Sequence, residues 1–179
     1  MLVTTQQIAK LIDDYINKGY ADRVLKREWQ GQYIRGHAPW NNAEDCYHVW
    51  LKIVEDNYER LSKITDFDEL YKELEKLAMK GIGDLTIYDT ATMIGCPNGV
   101  YPQRVYLHAG AAIGAGALGI SGTTVDKSVF VKICPNFDRL EPIQIEDFLC
   151  IYKSHLQGQP KASMWVCSSP DKASDEKFY

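Results

Sequence analysis

The spacing of apolar residues constrains this chain more than any other feature of its sequence. Near the start, Ile8, Leu11, Ile12, Tyr15 and Ile16 fall three and four positions apart. This spacing places them on one face of an α-helix. Similar spacing recurs in later segments, whereas the alternating pattern of a half-buried strand is rare. We therefore predict an all-α (mainly α) fold, a compact multi-helix domain.

Capping residues and glycines predict where the helices begin and end. Thr4 and Gln7 have the spacing of a capping box, and Gly19 provides a C-terminal stop for the first helix. Asp84 is a candidate N-cap, and Pro102 suits the first turn of a helix carrying Val105, Tyr106 and Ala109. After the first helix we predict helices over about 21–29, 42–62, 66–80 and 84–94, one from residue 102, and a last one over about 145–156. Segment 123–133 fits either a short strand or a helix.

Length and composition predict how the chain is divided. Its 179 residues are 45% hydrophobic and 25% charged, as in an ordinary soluble globular protein. We predict a single mainly helical domain over 1–157. From residue 158 to 179, glycine, proline, serine and charged residues predominate, so we predict a loosely ordered C-terminal tail.

Cysteine spacing and hydropathy indicate an intracellular protein. The five cysteines are far apart and form no C-x-x-C pair, so neither a disulfide framework nor a zinc knuckle is indicated. The start of the chain lacks a basic region followed by an apolar run, and the longest apolar stretch is shorter than the roughly 20 residues of a membrane span. We expect a cytoplasmic protein with no membrane partner and no metal.

The formal charge of −4 and pI near 5.6 argue against a protein whose whole surface attracts nucleic acid. Any such binding has to come from a local patch. The best basic candidate is segment 18–40, where positive side chains alternate with aromatic rings that could stack on bases. Its cations are Lys18, Arg23, Lys26, Arg27 and Arg35. The alternative is a solvated helix face with its rings turned inward.

Three glycines, Gly114, Gly116 and Gly119, match the G-x-G-x-x-G spacing of a dinucleotide-binding turn, with Asp138 about 20 residues downstream. That motif has to lie between a strand and a helix. Here it follows a long stretch of helical pattern and precedes the sequence ISGTT. Small residues that allow two backbones to approach closely explain the glycines more simply, so we expect no nucleotide cofactor.

The segment KGIGDLT, from Lys80 to Thr86, lies between two predicted helices. It resembles the helix-hairpin-helix motif in its G-I-G-x-x-T form. In that motif the glycines allow a phosphate to approach, and the N-terminus of the second helix offers backbone N–H groups to it. The resemblance implies a unit at about 66–95 that binds nucleic acid through Lys80, Gly81, Ile82, Gly83 and Thr86. A purely structural turn is the alternative.

A second motif extends this resemblance to the helix-hairpin-helix DNA glycosylase superfamily. Some twenty residues after the hairpin, YPQRVYLHAG resembles the family's P-V-D-V-H segment, with Val105 and His108 aligned. The similarity covers about residues 70–110. It departs at two positions, because Leu85 replaces the lysine of lyase-type members and Tyr106 replaces the essential aspartate. The resemblance therefore implies a nucleic-acid-binding protein without standard base-excision chemistry.

Three residues are candidates for any chemistry that this region performs: Asp89, Tyr106 and His108. With Tyr88 they would form a pocket. Each also has a structural interpretation, since a buried His is commonly bonded to the backbone and a helical Asp can make a buried hydrogen bond. The expected partner is DNA. The alternatives are a protein-interaction or structural domain that docks another protein, or an enzyme acting on a small molecule in the Tyr106/His108 pocket.

Overall fold

The computed structural model of the chain describes residues 3–29 and 44–159. Over these residues it contains eight α-helices, two short 3₁₀ helices and one pair of two-residue strands, which confirms the predicted mainly α fold. The helices are α1 (Thr5–Asn17), α2 (Tyr20–Val24), α3 (Glu44–Leu61), α4 (Phe67–Leu77), α5 (Asp84–Gly95), α6 (Ala109–Ala117), α7 (Lys127–Ile133) and α8 (Pro142–Leu156). Among the helices of this part of the chain, none is long and apolar enough to cross a membrane.

The described residues form two compact units. The first unit consists of residues 3–26 and 102–159, and it contains α1, α2 and α6–α8. The second unit consists of residues 27–29 and 44–101, and it contains α3–α5. A single domain over 1–157 stays a prediction. Residues 160–179, most of the predicted tail, lie outside the described residues.

In the first unit, α1 begins at the predicted capping box. The Thr4 side chain accepts a hydrogen bond from the Gln7 backbone N–H at 3.2 Å, and Gln7 Oε1 accepts from the Thr4 N–H at 2.8 Å. Ile8, Ile12 and Tyr15 on one face of α1 are fully buried. Thus the predicted apolar face does enter the core.

Helices α6 and α8 approach so closely that only a glycine fits between them. A Cβ atom added at Gly114 would lie 2.4 Å from the Leu149 carbonyl oxygen. Gly114 and Gly116 lie inside α6 rather than in a strand-to-helix turn, and the two strands found in the described residues are antiparallel. The explanation of Gly114 by close backbone packing is therefore confirmed.

The prediction of a helix from Pro102 is wrong. Val105 and Tyr106 form strand β1, which pairs with β2 (Thr124–Val125), and α6 begins only at Ala109. Their backbone groups bond to the neighbouring strand, a long-range pairing that helical spacing alone does not reveal. Segment 123–133 contains both structures that its sequence allowed, β2 and then α7. Helix α2 is shorter than predicted and ends at Val24.

In the second unit, α5 is buried on nearly all sides. Every residue from Ile87 to Gly95 is buried. Helix α4 begins at its predicted cap, where the Asp66 side chain accepts from the Glu69 backbone N–H at 2.8 Å. It ends at Leu77, three residues earlier than expected. Helices therefore lie on both sides of the glycine turn, as predicted, while its assignment as a helix-hairpin-helix unit stays a prediction.

Two glycines of α6 provide a matched test of the close α6–α8 packing. Gly114→Ala should lower the free energy of unfolding by about 1–3 kcal/mol, because the new methyl group has to displace the α8 backbone. Gly116→Ala should raise it by roughly 0.5–1 kcal/mol, since a Cβ there meets no atom within 4 Å and alanine favours the helix. Denaturant unfolding measures both. Equal effects of the two variants would contradict the packing.

Candidate nucleic-acid interface

The glycine turn leaves the end of α4 and enters α5 over residues 78–83. Gly81 has a φ of 101°, a conformation that favours glycine. A Cβ added there would also lie 2.9 Å from Cys46 Sγ on α3. Ile82 is buried, whereas Gly81 and Gly83 are exposed. The fold itself therefore accounts for Gly81, and Ile82 anchors the turn.

Gly83 is the N-cap of α5, so the prediction that Asp84 is the cap is wrong. Asp84 is instead the first helical residue, and no side chain caps the helix. The first intrahelical bond of this end runs from Ile87 N–H to the Gly83 carbonyl at 3.1 Å, and earlier N–H groups have no partner within the helix. Gly83 is exposed and a Cβ added there would meet no atom within 4 Å, so there is open space beside the N-cap.

Positive charge near the turn is limited. Between residues 66 and 95, acidic residues outnumber lysine and arginine by seven to three. Lys80 lies in the turn and is exposed, but Lys76 forms an ion pair with Glu73 at 2.5 Å. Burial raises the pKa of Tyr71 to about 12, and the Asp84 and Glu75 carboxylates add to this shift. A phosphate would therefore meet backbone dipoles and few side-chain cations.

The structure changes the role of one cation in the predicted basic patch. Arg27 is buried in the second unit, where its Nη1 lies 3.8 Å from Asp89 Oδ1 and donates to Thr92 Oγ1 at 3.4 Å. It is therefore not an exposed contact for phosphate. Lys18 forms an ion pair with Asp14 at 2.8 Å, and Lys26 is exposed. Arg35 lies outside the described residues.

The polar side chains of α5 are bonded inside the second unit. Trp50 Nε1 on α3 donates to Thr90 Oγ1 at 3.2 Å, and the Thr90 hydroxyl donates to the Thr86 carbonyl at 2.7 Å. Thr92 Oγ1 donates to the Asp89 carbonyl at 2.8 Å. These bonds satisfy polar groups that would otherwise be costly to bury. Nearby, burial raises the pKa of the Cys96 thiol to about 11, although the Arg27 charge opposes this rise.

The three candidate catalytic residues belong to different units. Asp89 lies in the second unit, whereas Tyr106 and His108 lie in the first. Tyr106 and His108 do lie together, with ring centroids 5.7 Å apart. His108 is also the N-cap residue of α6. The pocket that would combine them with Asp89 and Tyr88 stays a prediction.

Sequence reasoning missed the Arg27–Asp89 pair. A signal for it existed, because Asp89 is the only charged residue between positions 85 and 95, in an otherwise apolar or neutral helix. A lone carboxylate in such a helix indicates a buried partner. The sequence does not identify that partner, because Arg27 is distant in the chain and lies among other charged residues.

No group of three His, Cys, Asp or Glu side chains within residues 3–29 and 44–159 is arranged to hold a metal ion. Comparison of the chain with protein-family models, with curated proteins and with solved structures finds no match. The glycosylase resemblance therefore rests on the sequence motifs alone and stays a prediction.

Two neighbouring cations test the buried ion pair. Arg27→Ala should lower the free energy of unfolding by about 3 kcal/mol or more, because it leaves the Asp89 carboxylate buried without this partner. Lys26→Ala, at an exposed position, should change it by less than about 0.5 kcal/mol. Chemical denaturation measures both values. If both variants unfold like the unmodified protein, the ion pair contributes nothing to stability.

Proposed function

We propose that this protein binds the phosphate backbone of nucleic acid at the turn formed by Gly81, Ile82 and Gly83. The observation that carries the proposal is the N-terminus of α5, which has an exposed glycine as its N-cap, no side-chain cap and open space beside the Cα of that glycine. Backbone N–H groups and the helix dipole favour an anion at such a position. Thr86, in the first turn of α5, and Lys80 border it.

The contrast between the two glycines supports this proposal. Gly81 is explained by its backbone conformation and by its contact with Cys46. Gly83 has neither constraint, because its φ is −99° and a side chain would fit. Serine, threonine, asparagine or aspartate at this position would cap the helix. A glycine instead leaves the donors accessible to an external phosphate.

The charges around the turn imply weak binding. The affinity of proteins for nucleic acid depends strongly on how many phosphate counterions lysine and arginine release. Lys80 is available here, whereas Arg27 is buried and Lys76 is engaged by Glu73. We expect a small number of phosphate contacts and a correspondingly shallow dependence of affinity on salt.

Base excision by the glycosylase route is not part of this proposal. Leu85, at the position of the lyase-type lysine, has no amine and cannot form a Schiff base. Tyr106, at the position of the essential aspartate, carries a phenol in place of a carboxylate. Binding without that chemistry is the function that these residues support.

A second candidate function is docking of another protein. The excess of acidic residues in segment 66–95 favours it, and so do Val49 and Met79 in the second unit, which are 45% and 37% exposed. Isolated exposed apolar residues are common on protein surfaces. We therefore place this candidate after phosphate binding, and the experiment below separates the two.

Gly83→Asp is the decisive variant, because its effects on folding and on binding have opposite signs. Aspartate is a preferred N-cap, so the substitution should maintain or raise stability. The added charge and side chain should occupy the phosphate position and reduce DNA binding at low salt by roughly tenfold or more. Fluorescence anisotropy with single- and double-stranded DNA, together with thermal unfolding, measures both effects.

Gly116→Asp is the matched control. It makes the same change in net charge at an exposed glycine of α6, where a Cβ meets no atom within 4 Å. Binding should change little in this variant. Equal losses of DNA affinity in both variants would show that the added negative charge acts without regard to its position, which contradicts a site at the turn. If the unmodified protein binds neither single- nor double-stranded DNA, protein docking becomes the better candidate.

Asp84→Asn tests the same site, the N-terminus of α5, with a variant that should raise DNA affinity. The Asp84 carboxylate, at the first residue of α5, repels a phosphate that approaches the helix N-terminus. Its removal should increase DNA affinity by about two- to fivefold at low salt, and the gain should shrink as salt rises. Asp68→Asn, an exposed carboxylate in the first turn of α4, is the control. An equal gain in the control would contradict a local site at the turn.

A further inference from the structure

Asn98 and Gly99 lie at the opposite end of α5 from the glycine turn. Asn98 is the last residue of a short 3₁₀ helix, Cys96–Asn98, and Gly99 is its C-cap; both residues are exposed. Asn98 is the only asparagine in the sequence that is followed by glycine. An Asn-Gly pair has a characteristic reactivity, because glycine places no side chain in the path of its own backbone nitrogen.

The reaction is a spontaneous deamidation. The Gly99 backbone nitrogen loses its proton to water and attacks Asn98 Cγ. The new N–Cγ bond closes a succinimide ring, while the Cγ–Nδ2 bond breaks and ammonia leaves. Water then opens either ring carbonyl and yields aspartate or isoaspartate. No oxidant, metal or enzyme is needed.

Hydrogen bonds of the native turn hold both reacting groups. The Gly99 N–H donates to the Cys96 carbonyl at 3.0 Å, and Asn98 Nδ2 donates to the Ile94 carbonyl at 3.1 Å. A further bond from the Val100 N–H to the Gly95 carbonyl, at 3.0 Å, closes the turn. Since attack requires the Gly99 nitrogen and the Asn98 side chain to leave these partners, the turn has to open first.

We propose that Asn98 is a deamidation site whose rate is controlled by local opening of the turn over residues 95–100. Local openings of this kind precede global unfolding in most proteins, particularly at the ends of helices. Pro97, Asn98 and Gly99 in the middle of the turn are exposed, whereas Gly95, Cys96 and Val100 are buried. Opening therefore has to expose part of this flanking surface, which makes it the step that limits the rate. The inference does not depend on the proposed function.

Deamidation of Asn98 would weaken the turn over residues 95–100, whose opening limits the reaction. Aspartate at position 98 cannot donate the hydrogen bond that Asn98 Nδ2 makes to the Ile94 carbonyl. Its negative charge would also lie next to the C-terminal carbonyls of α5, where the helix dipole disfavours an anion. Deamidation should therefore destabilise the end of α5.

The test follows conversion at Asn98 by peptide mapping and mass spectrometry of the full chain in mildly alkaline buffer. In guanidinium chloride, conversion to aspartate and isoaspartate should be at least roughly tenfold faster than in native buffer, because the turn is then open. Asn98→Gln should lose the reaction on this time scale. No conversion in denaturant would overturn the site, and equal rates in both buffers would overturn control by the turn.

Two glycines provide matched variants in native buffer. A Cβ at Gly95 would lie 2.5 Å from the Val100 carbonyl oxygen, so Gly95→Ala should loosen the turn and speed conversion by roughly tenfold. Gly116→Ala, in α6, where a Cβ meets no atom within 4 Å, should leave the rate unchanged. In denaturant both variants should react at the rate of the unmodified chain. Equal native rates in both variants would contradict the proposed role of the turn.

Discussion

The first unit depends on the approach of α6 to α8 at Gly114. The backbone of α8 lies where a side chain of α6 would otherwise be, since a Cβ at Gly114 would come within 2.4 Å of the Leu149 carbonyl oxygen. This contact allows α8 to be buried from Pro142 to Cys150. The cost of burying so many residues of one helix is met by internal hydrogen bonds, such as the one from Tyr15 on α1 to Asp147 at 2.9 Å.

The second unit solves a similar problem around α5, which is buried from Ile87 to Gly95. The polar residues of α5 receive partners from distant parts of the chain, with Arg27 near Asp89 and Trp50 bonded to Thr90. Because every residue from Ile87 to Gly95 is buried, the exposed part of α5 is confined to its N-terminus. That is where the turn leaves backbone donors open, and it is the reason the proposed phosphate site lies there.

The basic segment 18–40 shows how burial changes the meaning of a charge. From the sequence, Arg27 is one of five cations in this segment, which is a candidate either for nucleic-acid binding or for a solvated helix face. In the structure it is 6% exposed and lies near Asp89, so it is an interior partner in the second unit and not a surface cation. The remaining charge near the turn is low, and we infer that any contact with nucleic acid depends on backbone groups more than on side-chain cations.

Local signals determined much of the helical architecture from the sequence alone. The capping box at Thr4, the Asp66 cap and the apolar spacing of α1 and α8 act within a few residues, so they can be read without knowing the fold. The helices on both sides of the glycine turn could be predicted for the same reason. Strand β1, the N-cap role of Gly83 and the Arg27–Asp89 pair were decided only by the tertiary structure. Each depends on backbone geometry or on residues distant in the chain. Strand pairing and charge burial are set by the residues that pack nearby in space, and a local sequence pattern does not identify those residues.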